Sequence, residues 1–391
     1  MKVVADRATD EEWGRPVYLD YAATTPVDPE VTVAMLPWLG ERFGNPSSSH
    51  VYGREARRKV EESREEVALL IGAEPDEIVF TASATEANNL AILGCAQALG
   101  GNNRRELALS AVEHPSVSGP FAILSGEGWT VRLLPVDASG RINLRMAERL
   151  IGPGMAFVSL MLANNETGTI QPVREIAAIA RSRGALLHID AAQAAGKIPV
   201  EVERLGADFL TLAGHKFYAP KGIGVLYVRR GTPFSPLMAG GGQEGGRRPG
   251  TENVPSIAAL GTAARLARIT LRKETARTEK LRERLIRKLS GAVPGLRLNG
   301  SPDSRLSHIL NLSFPGVEGG ALLEAAPGVA ASTGSACHGE ESGTSPVLRA
   351  MGMPEERARS SVRLSLGRFT TDMEIDLASE ALVAAWRRLT S

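Results

Sequence analysis

Lys216 is the first residue whose setting suggests chemistry. It lies in a segment rich in glycine and proline, 214–222, between two short apolar runs at 208–212 and 223–228 that predict strands. Ligands of open α/β sheets bind beyond the carboxyl ends of the strands, where this lysine would lie. A lysine amine whose pKa is lowered by its surroundings can form a Schiff base with a carbonyl group. A lysine in an ordinary surface turn would fit the same pattern.

Asp190 stands at the end of another apolar run, 185–189, and is followed by two alanines. An acid in this position could pair with the protonated ring nitrogen of pyridoxal phosphate (PLP), because small neighbours let a flat ring approach. Such a pairing keeps the ring charged, which makes it an effective electron sink. Asp190 could equally cap a helix, since aspartate is a favoured N-cap residue.

A third segment, 80–89, predicts a strand, then small hydroxylated residues, then a helix. The N-terminus of a helix presents unpaired N–H groups and the positive end of its dipole, which bind anions. Thr85 could donate its hydroxyl to a phosphate, and Ser83 or Thr85 could also cap the helix. With Lys216 and Asp190, the sequence predicts a phosphate site, a partner for a ring nitrogen and a Schiff-base lysine in one α/β domain.

The chain has two cysteines, Cys95 and Cys337. Two widely separated cysteines form neither a disulfide framework nor a set of zinc ligands. Cys95 lies within an apolar helical segment, which predicts a small buried side chain with a packing role. Cys337 lies in the polar, glycine-rich segment 334–343, where a thiol would be accessible, and His338 beside it could favour the reactive thiolate.

The elements that must position these residues are short apolar runs that alternate with helical patterns up to about residue 252. Strands are predicted at 77–81, 106–110, 130–134, 156–162, 185–189, 208–212 and 223–228, and helices at 51–71, 85–99, 143–150 and 173–183. Most of these runs are apolar throughout, as expected for strands buried on both faces of a mostly parallel sheet with right-handed crossovers.

After residue 252 the pattern changes. It predicts a long helix at 257–289, shorter strands at 309–314 and 362–366, and a final helix at 374–389. The length of 391 residues also favours two domains. We therefore expect a large α/β domain followed by a smaller α+β domain, with the long helix between them.

The composition excludes several classes of function. Lys and Arg number 45 and Asp and Glu 44, so the net charge is +1. This balance lacks the basic footprint of a general nucleic-acid binder and the excess charge for docking on an anionic membrane. No apolar run approaches the roughly 20 residues of a spanning helix, and charges come too early for a signal peptide. We expect a cytoplasmic protein with reduced thiols.

Short sequence blocks, spread in order along nearly the whole chain, carry a resemblance to a known family. In these blocks the chain resembles the cysteine desulfurases and selenocysteine lyases, which are PLP enzymes of the class V aminotransferase group. The blocks lie at 18–26, 43–48, 113–114, 163–168, 240–244, 248–253, 332–337 and 363–368. The resemblance implies the type I, aspartate aminotransferase-like fold. Its large domain, 26–262, would hold PLP on a mostly parallel seven-stranded sheet, and its small α+β domain, 1–25 and 263–391, would carry Cys337 and Arg363.

The same resemblance implies a role for each site residue. Around the PLP ring, Lys216 would form the Schiff base, Asp190 would pair with the pyridine nitrogen, Gln193 would contact the ring hydroxyl and His114 would stack on the ring. The phosphate would be held by Ala84, Thr85 and His215, together with Thr251 of a second subunit. The substrate carboxylate would be bound by Asn165 and Arg363. The role of Thr251 implies a homodimer with shared active sites. A guanidinium suits the carboxylate because it offers a fixed fork of donors. Alternatively, His114 could merely open a helix before Pro115, and Arg363 could form a structural ion pair.

Two positions depart from the pattern of the resemblance. Ala213 replaces a serine that donates to the phosphate in many relatives, and Ala82-Ser83 replaces the usual Ser-Gly. We expect a cofactor that is held more weakly or by different donors, with the helix N-terminus retained and Ser83 as a candidate replacement donor.

The activity that the resemblance implies is conversion of L-cysteine to L-alanine. Lys216 would remove the α-proton, His114 could move a proton to or from the substrate sulfur, and Cys337 would take the sulfur as a persulfide for an acceptor protein. Iron–sulfur scaffolds, tRNA thiolation enzymes and cofactor biosynthesis proteins are all open as acceptors.

Three other functions compete with this activity. Residues 337–338 and 345–348 resemble the selenocysteine lyase version of the loop, so selenocysteine is an alternative substrate. Transamination or β-elimination of cystine would leave Cys337 without a role. An inactive scaffold for sulfur-carrier proteins is the third alternative, and the complete set of Lys216, Asp190, His114 and Cys337 argues against it.

Overall fold

A seven-stranded sheet forms the centre of the fold in the computed structural model, which describes residues 15–100, 104–333 and 344–391. The strands are β2 (Ile78–Thr81), β3 (Glu106–Ser110), β4 (Thr130–Leu134), β5 (Met155–Met161), β6 (Leu186–Asp190), β7 (Phe209–Ala213) and β8 (Gly224–Val228), after a short β1 (Val17–Tyr18) outside this sheet. Their order across the sheet is β2-β8-β7-β6-β5-β3-β4. Strands β3 to β7 are parallel, which confirms the prediction of a mostly parallel sheet.

Strand β8 runs antiparallel to both of its neighbours, β7 and β2. Two reversals restore the direction, so β2 points the same way as β7. The carboxyl ends of β2, β3, β5, β6 and β7 therefore meet at one edge of the sheet. The loops that leave this edge carry most of the residues singled out in the sequence.

Helices cover both faces of this sheet. They are α1 (Pro29–Met35), α2 (Val51–Ile71), α3 (Ala84–Ala98), α4 (Pro115–Gly126), α5 (Leu144–Leu150), α6 (Val173–Ser182), α7 (Val202–Leu205) and α8 (Val254–Ala292). Neighbouring strand residues enter opposite cores: Phe157 packs with α3 and α4, whereas Val158 packs with α2, α6 and α8. Burial on both faces explains why the strand sequences do not alternate between apolar and polar residues.

The apolar patterns of the sequence did not predict α4, which was considered only as the helix that His114 could open. Its twelve residues, PSVSGPFAILSG, contain two prolines and two glycines, and Pro120 lies inside the helix. Helix propensity is therefore low. Phe121 and Leu124 are nevertheless buried against α3 and the sheet. Tertiary packing outweighs the weak local preference at this position.

The 39-residue helix α8 enters two hydrophobic cores. Its first part, up to Ala267, packs in the core beneath the large sheet, and Leu281, Leu285 and Leu289 pack in a second core. The second core is built from β9 (Arg297–Asn299), β10 (Ile309–Ser313), α9 (Gly319–Glu324), β11 (Val329–Ala330), β12 (Ser361–Ser365) and α12 (Asp372–Thr390). The strands there form a β12-β10-β9 sheet and a β1-β11 pair. The short helices α10 (Pro346–Ala350) and α11 (Glu355–Arg359) pack instead in a smaller core with Val112 and Met161.

Within the described part of the chain, none of the helices combines the length and the apolar character that crossing a bilayer would require.

Candidate active site

Lys216 ends a short 3-10 helix, Gly214–Lys216, that begins directly after β7. Its Nζ donates to the carbonyl oxygens of Ala22 at 2.6 Å and Ala23 at 2.7 Å. The Nε2 of Gln193 donates to the same Ala22 oxygen at 2.9 Å. Two residues that the sequence assigned to one site thus meet at a shared acceptor on the N-terminal segment.

Asp190 is the last residue of β6, the strand next to β7, and only 6% of its surface is exposed. Its Oδ1 accepts the Ala192 N–H at 2.9 Å, and its Oδ2 accepts from Nδ2 of Asn88 at 2.9 Å. Beside it, burial lowers the pKa of His188 to about 4, so this histidine is neutral. No Lys, Arg or His forms an ion pair with Asp190 within the described ranges.

His114 is the N-cap residue of α4, so the helix-opening interpretation is confirmed. Its Nδ1 accepts the Ser116 N–H at 3.1 Å and lies 2.8 Å from the Ser116 Oγ. Nδ2 of Asn88 also donates to that Oγ, at 2.9 Å. Asn88 and Ser116 therefore connect His114 to Asp190 through hydrogen bonds.

The phosphate site predicted in the sequence corresponds to the N-terminus of α3. Ser83 caps this helix, because its hydroxyl accepts the Glu86 N–H at 3.1 Å. The N–H groups of Ala84 and Thr85, in the first turn, have no partner within the helix. A Cβ at Gly224 on β8 would lie 2.5 Å from the Ser83 carbonyl carbon, so only glycine lets the helix end approach the sheet this closely.

His215 lies beside Lys216, and its Nδ1 is 3.1 Å from the Thr24 Oγ1. Burial, reinforced by the charge of Lys216, lowers the pKa of His215 to about 4. The neighbouring Ala213 is fully buried at the end of β7 and has no side-chain donor to offer.

Thr251 lies on a loop, 240–252, that two ion pairs fix to the rest of the chain. The buried Arg64 binds Glu244 through both terminal nitrogens, at 2.8 and 2.9 Å. Arg248 binds Glu86, in the first turn of α3, at 2.8 Å. Thr251 itself is exposed, as a residue that served a second subunit would be.

Arg363, on β12, is 2% exposed, and its guanidinium forms an ion pair with Asp20 at 2.8 Å. A second nitrogen donates to the backbone carbonyl of Asn165 at 3.1 Å. The structural ion pair considered for Arg363 is therefore present. Its buried Nε finds no hydrogen-bond acceptor among the described residues, which leaves a donor that a substrate carboxylate could use.

Glu166, next to Asn165, was not singled out in the sequence. It is fully buried, and its Oε2 accepts from the Ser345 hydroxyl at 2.5 Å. Burial raises the pKa of Glu166 to about 7, although Ser345 and Arg363 act in the opposite direction. Because Ser345 also caps α10, Glu166 holds the start of that helix against the loop that carries Asn165.

We expect Glu166→Gln to change how stability depends on pH. The native carboxyl keeps its proton up to about pH 7 and the unfolded one only to about its ordinary pKa of 4.5. Between these values the native state binds more protons, so the contribution of Glu166 to stability is lost as pH rises. Relative to wild type, the variant should gain about 3 kcal/mol across this window. Urea unfolding at pH 5 and pH 8 measures the gain.

Glu148→Gln, at an exposed glutamate of α5, is the control and should follow the wild-type pH dependence. If Glu166→Gln also follows the wild-type curve at both pH values, the carboxyl of Glu166 does not titrate in this range.

The two cysteines have separate settings. Cys95 is fully buried on α3 among apolar side chains, and burial raises the pKa of its thiol, so the predicted packing role is confirmed. Cys337 and His338 lie outside the described residues.

Besides Glu166, three residues at the site were not assigned a role from the sequence: Asp20, Asn88 and Ser116. Asp20 and Asn88 fall inside segments that the sequence had singled out, 18–26 and 80–89, and a buried polar residue next to a proposed functional one is the signal that could have identified them. Ser116 had no such signal, because a serine at the start of a helix is common.

The Aminotransferase class-V family model matches residues 17–377. A protein named "Cysteine desulfurase 2", from Trichormus variabilis, is 46% identical over 375 residues, which are 95% of this chain and 94% of that protein. The chain belongs to the cysteine desulfurase family. Among solved structures, a "NifS-like protein" matches with a TM-score of 0.89 at 36% identity, over 94% of this chain and 98% of its own. Another, "SspA in complex with cysteine", matches with a TM-score of 0.80 at 35% identity, over 90% and 99%.

Cysteine desulfurases are PLP enzymes, and the side chains at this site fit the cofactor. The buried carboxylate of Asp190 needs a positive partner, which a protonated pyridine nitrogen supplies. The unpaired N–H groups of Ala84 and Thr85 suit a phosphate. These backbone donors do not depend on the side chains at 82, 83 and 213, so the departures from the family pattern leave them in place. The Ser83 hydroxyl accepts the Glu86 N–H as a helix cap, and this contact leaves its own O–H able to donate to a phosphate.

Proposed function

We propose that this enzyme converts L-cysteine to L-alanine and transfers the sulfur to Cys337 as a persulfide. The observation that carries the proposal is that Lys216 and Arg363 contact one short segment. Lys216 binds the carbonyls of Ala22 and Ala23, and Arg363 binds Asp20. Three residues span at most about 10 Å. An amino acid can therefore place its amine towards Lys216 and its carboxylate towards Arg363.

The cofactor would be held by Lys216 at its aldehyde, by Asp190 at the ring nitrogen, by Gln193 at the ring hydroxyl, and by Ala84, Thr85, His215 and the partner subunit's Thr251 at the phosphate. When bound, PLP supplies a sink for the electrons released when a bond to the substrate Cα breaks. Lys216 Nζ, half-buried at the end of β7, is the base that would take the α-proton. The Nε of Arg363 and the side chain of Asn165 would orient the substrate carboxylate.

Sulfur transfer needs a second nucleophile. The Cys337 thiolate would attack the substrate sulfur, forming an S–S bond as the Cβ–S bond breaks. The electron pair of the broken bond stays with carbon, which takes up a proton and becomes the methyl group of alanine. Cys337 is left as a persulfide, and a thiol of an acceptor protein or a small reductant must then remove the outer sulfur.

Product analysis with cysteine, selenocysteine and cystine tests this function. We expect alanine as the amino-acid product from cysteine, in an amount equal to the sulfur released. Pyruvate would instead indicate β-elimination. Turnover restricted to selenocysteine would make the enzyme a selenocysteine lyase and would reject cysteine as its substrate.

We also propose that the enzyme works as a homodimer. Apolar side chains that are 49% or more exposed cluster at 36–52: Leu36, Leu39, Phe43, Val51 and Tyr52. The rings of Phe43 and Tyr52 stack at 5.6 Å, and Phe43 is 73% exposed. Monomeric proteins rarely expose such patches. A second copy of the chain would cover this patch, and Thr251 would reach the partner's phosphate site.

Light scattering should give a mass of twice 41.5 kDa, about 83 kDa. Phe43→Asp should lower this mass towards the monomer and weaken PLP binding, because each site would lose the partner's Thr251. Leu133→Asp, at an exposed leucine on the edge strand β4, is the matched control and should stay dimeric. A wild-type monomer at micromolar concentration would reject the dimer.

A further inference from the structure

Asn88 is a fully buried side chain between two acceptors. Its Nδ2 lies 2.9 Å from the Asp190 Oδ2 and 2.9 Å from the Ser116 Oγ. A carboxylate oxygen can only accept, so the amide must turn its NH₂ group towards Asp190. The remaining N–H then points to Ser116. The charge of Asp190 thereby fixes the orientation of the Asn88 amide.

Ser116 is constrained in turn by Asn88. Its hydroxyl oxygen accepts the amide N–H, so its single hydrogen must be donated to another acceptor. The His114 Nδ1, at 2.8 Å, is an acceptor within reach. The backbone N–H of Ser116 donates to the same Nδ1 at 3.1 Å. Two donors from one residue therefore converge on one ring nitrogen of His114.

A ring nitrogen that accepts hydrogen bonds does not carry a proton. In neutral His114 the proton must then sit on Nε2, on the far side of the ring from the helix cap. We propose that Ser116 and Asn88 are positioning residues that hold His114 as the Nε2–H tautomer. The only ring lone pair is occupied by Ser116, so His114 can give a hydrogen bond through Nε2 but has no lone pair to accept a substrate proton.

This proposal rests on the proposed function where it concerns the reaction. In the reaction, it distinguishes the role of Lys216 from that of His114. Lys216 is the base, and neutral His114 donates a hydrogen bond from Nε2 to an anionic atom of the substrate, such as its sulfur. It thus replaces the expectation that His114 takes a proton from the substrate.

Nitrogen-15 NMR of the holoenzyme labelled at histidine tests the tautomer without any substrate. The chain has six histidines, and a His114→Gln variant identifies the signals of His114. We expect Nδ1 to resonate as an unprotonated, hydrogen-bonded nitrogen and Nε2 as a protonated one. Ser116→Ala should move the Nδ1 signal towards that of a free ring nitrogen. Ser116→Thr, which keeps the hydroxyl, should restore it.

Asn88→Leu should move the Nδ1 signal in the same direction as Ser116→Ala, because Ser116 would no longer be held as a donor. If Asn88→Leu does not fold, the two Ser116 variants still decide. A protonated Nδ1 in the wild type would overturn the proposal, and so would an Nδ1 signal that Ser116→Ala leaves unchanged.

Activity provides a separate readout. Loss of one neutral hydrogen bond should lower kcat/KM of Ser116→Ala for cysteine by roughly fivefold, and Ser116→Thr should recover it. If the wild type shows the expected tautomer but produces no alanine from cysteine, the proposed function fails while the positioning role of Ser116 and Asn88 stands. If alanine forms but Nδ1 carries the proton, only the positioning role fails.

Discussion

Lys216→Ala should reduce alanine formation from cysteine by about 10³-fold or more. Loss of a positioned general base typically costs 10² to 10⁴, and this variant also loses the amine that is proposed to bind the cofactor aldehyde. The Lys216 amine is the one that the structure holds at the site, through the carbonyls of Ala22 and Ala23. Borohydride treatment followed by peptide mapping should attach PLP to Lys216 in the wild type and leave the variant unlabelled.

Lys221 provides the matched control. It lies five residues later in the same loop, and its side chain is exposed. Lys221→Ala should keep both the labelling of Lys216 and the wild-type rate of alanine formation. A labelled peptide containing Lys221 rather than Lys216 would show that the wrong lysine has been assigned.

Strands and long helices could be predicted from the sequence because burial leaves a direct signal there. The strand β5 is buried at all seven positions and reads as one apolar run. The helix α2 was placed at its observed bounds, 51–71, since its apolar residues recur at helical spacing. Helix α4 gave no such signal because two prolines and two glycines interrupt it, and only its packing explains it.

Strand direction could not be read from the sequence either. A strand buried on both faces has the same composition whether it is parallel or antiparallel to its neighbours, so the reversal at β8 carries no local signal. The direction matters for the site, because two successive antiparallel pairs place the end of β2, and with it the start of α3, at the same edge as Lys216.

The residues of the candidate site also divide into those with a local signal in the sequence and those without one. Lys216, Asp190 and the start of α3 became candidates because each lies at or just after the end of a predicted strand, and the structure places all three at one edge of the sheet. Asp20 pairs with Arg363 across 343 residues of sequence, and Asn88 pairs with Asp190 across 102. Contacts between residues so far apart in the chain depend on the fold, and no spacing in the sequence reports them.

Cys337→Ala should abolish desulfuration of cysteine while leaving the PLP absorbance band intact. Apart from the partner subunit's Thr251, the residues proposed to hold the cofactor end or follow β6 and β7 or begin α3, and Cys337 was not assigned to cofactor binding. Loss of the sulfur-accepting thiol removes the covalent step itself, and loss of a nucleophile commonly costs on the order of 10³-fold or more. Alanine formation, persulfide on the protein and the visible spectrum of both proteins measure the effect.

The second cysteine makes the control direct. Cys95→Ala removes a thiol that is fully buried on α3, and the chain then keeps Cys337 as its single cysteine. A cavity of this kind lowers stability modestly but should leave the rate and the persulfide unchanged. Wild-type desulfuration by Cys337→Ala would reject the persulfide step. Persulfide found on Cys95 would mean that a residue without solvent access receives the sulfur, which its burial and the raised pKa of its thiol argue against.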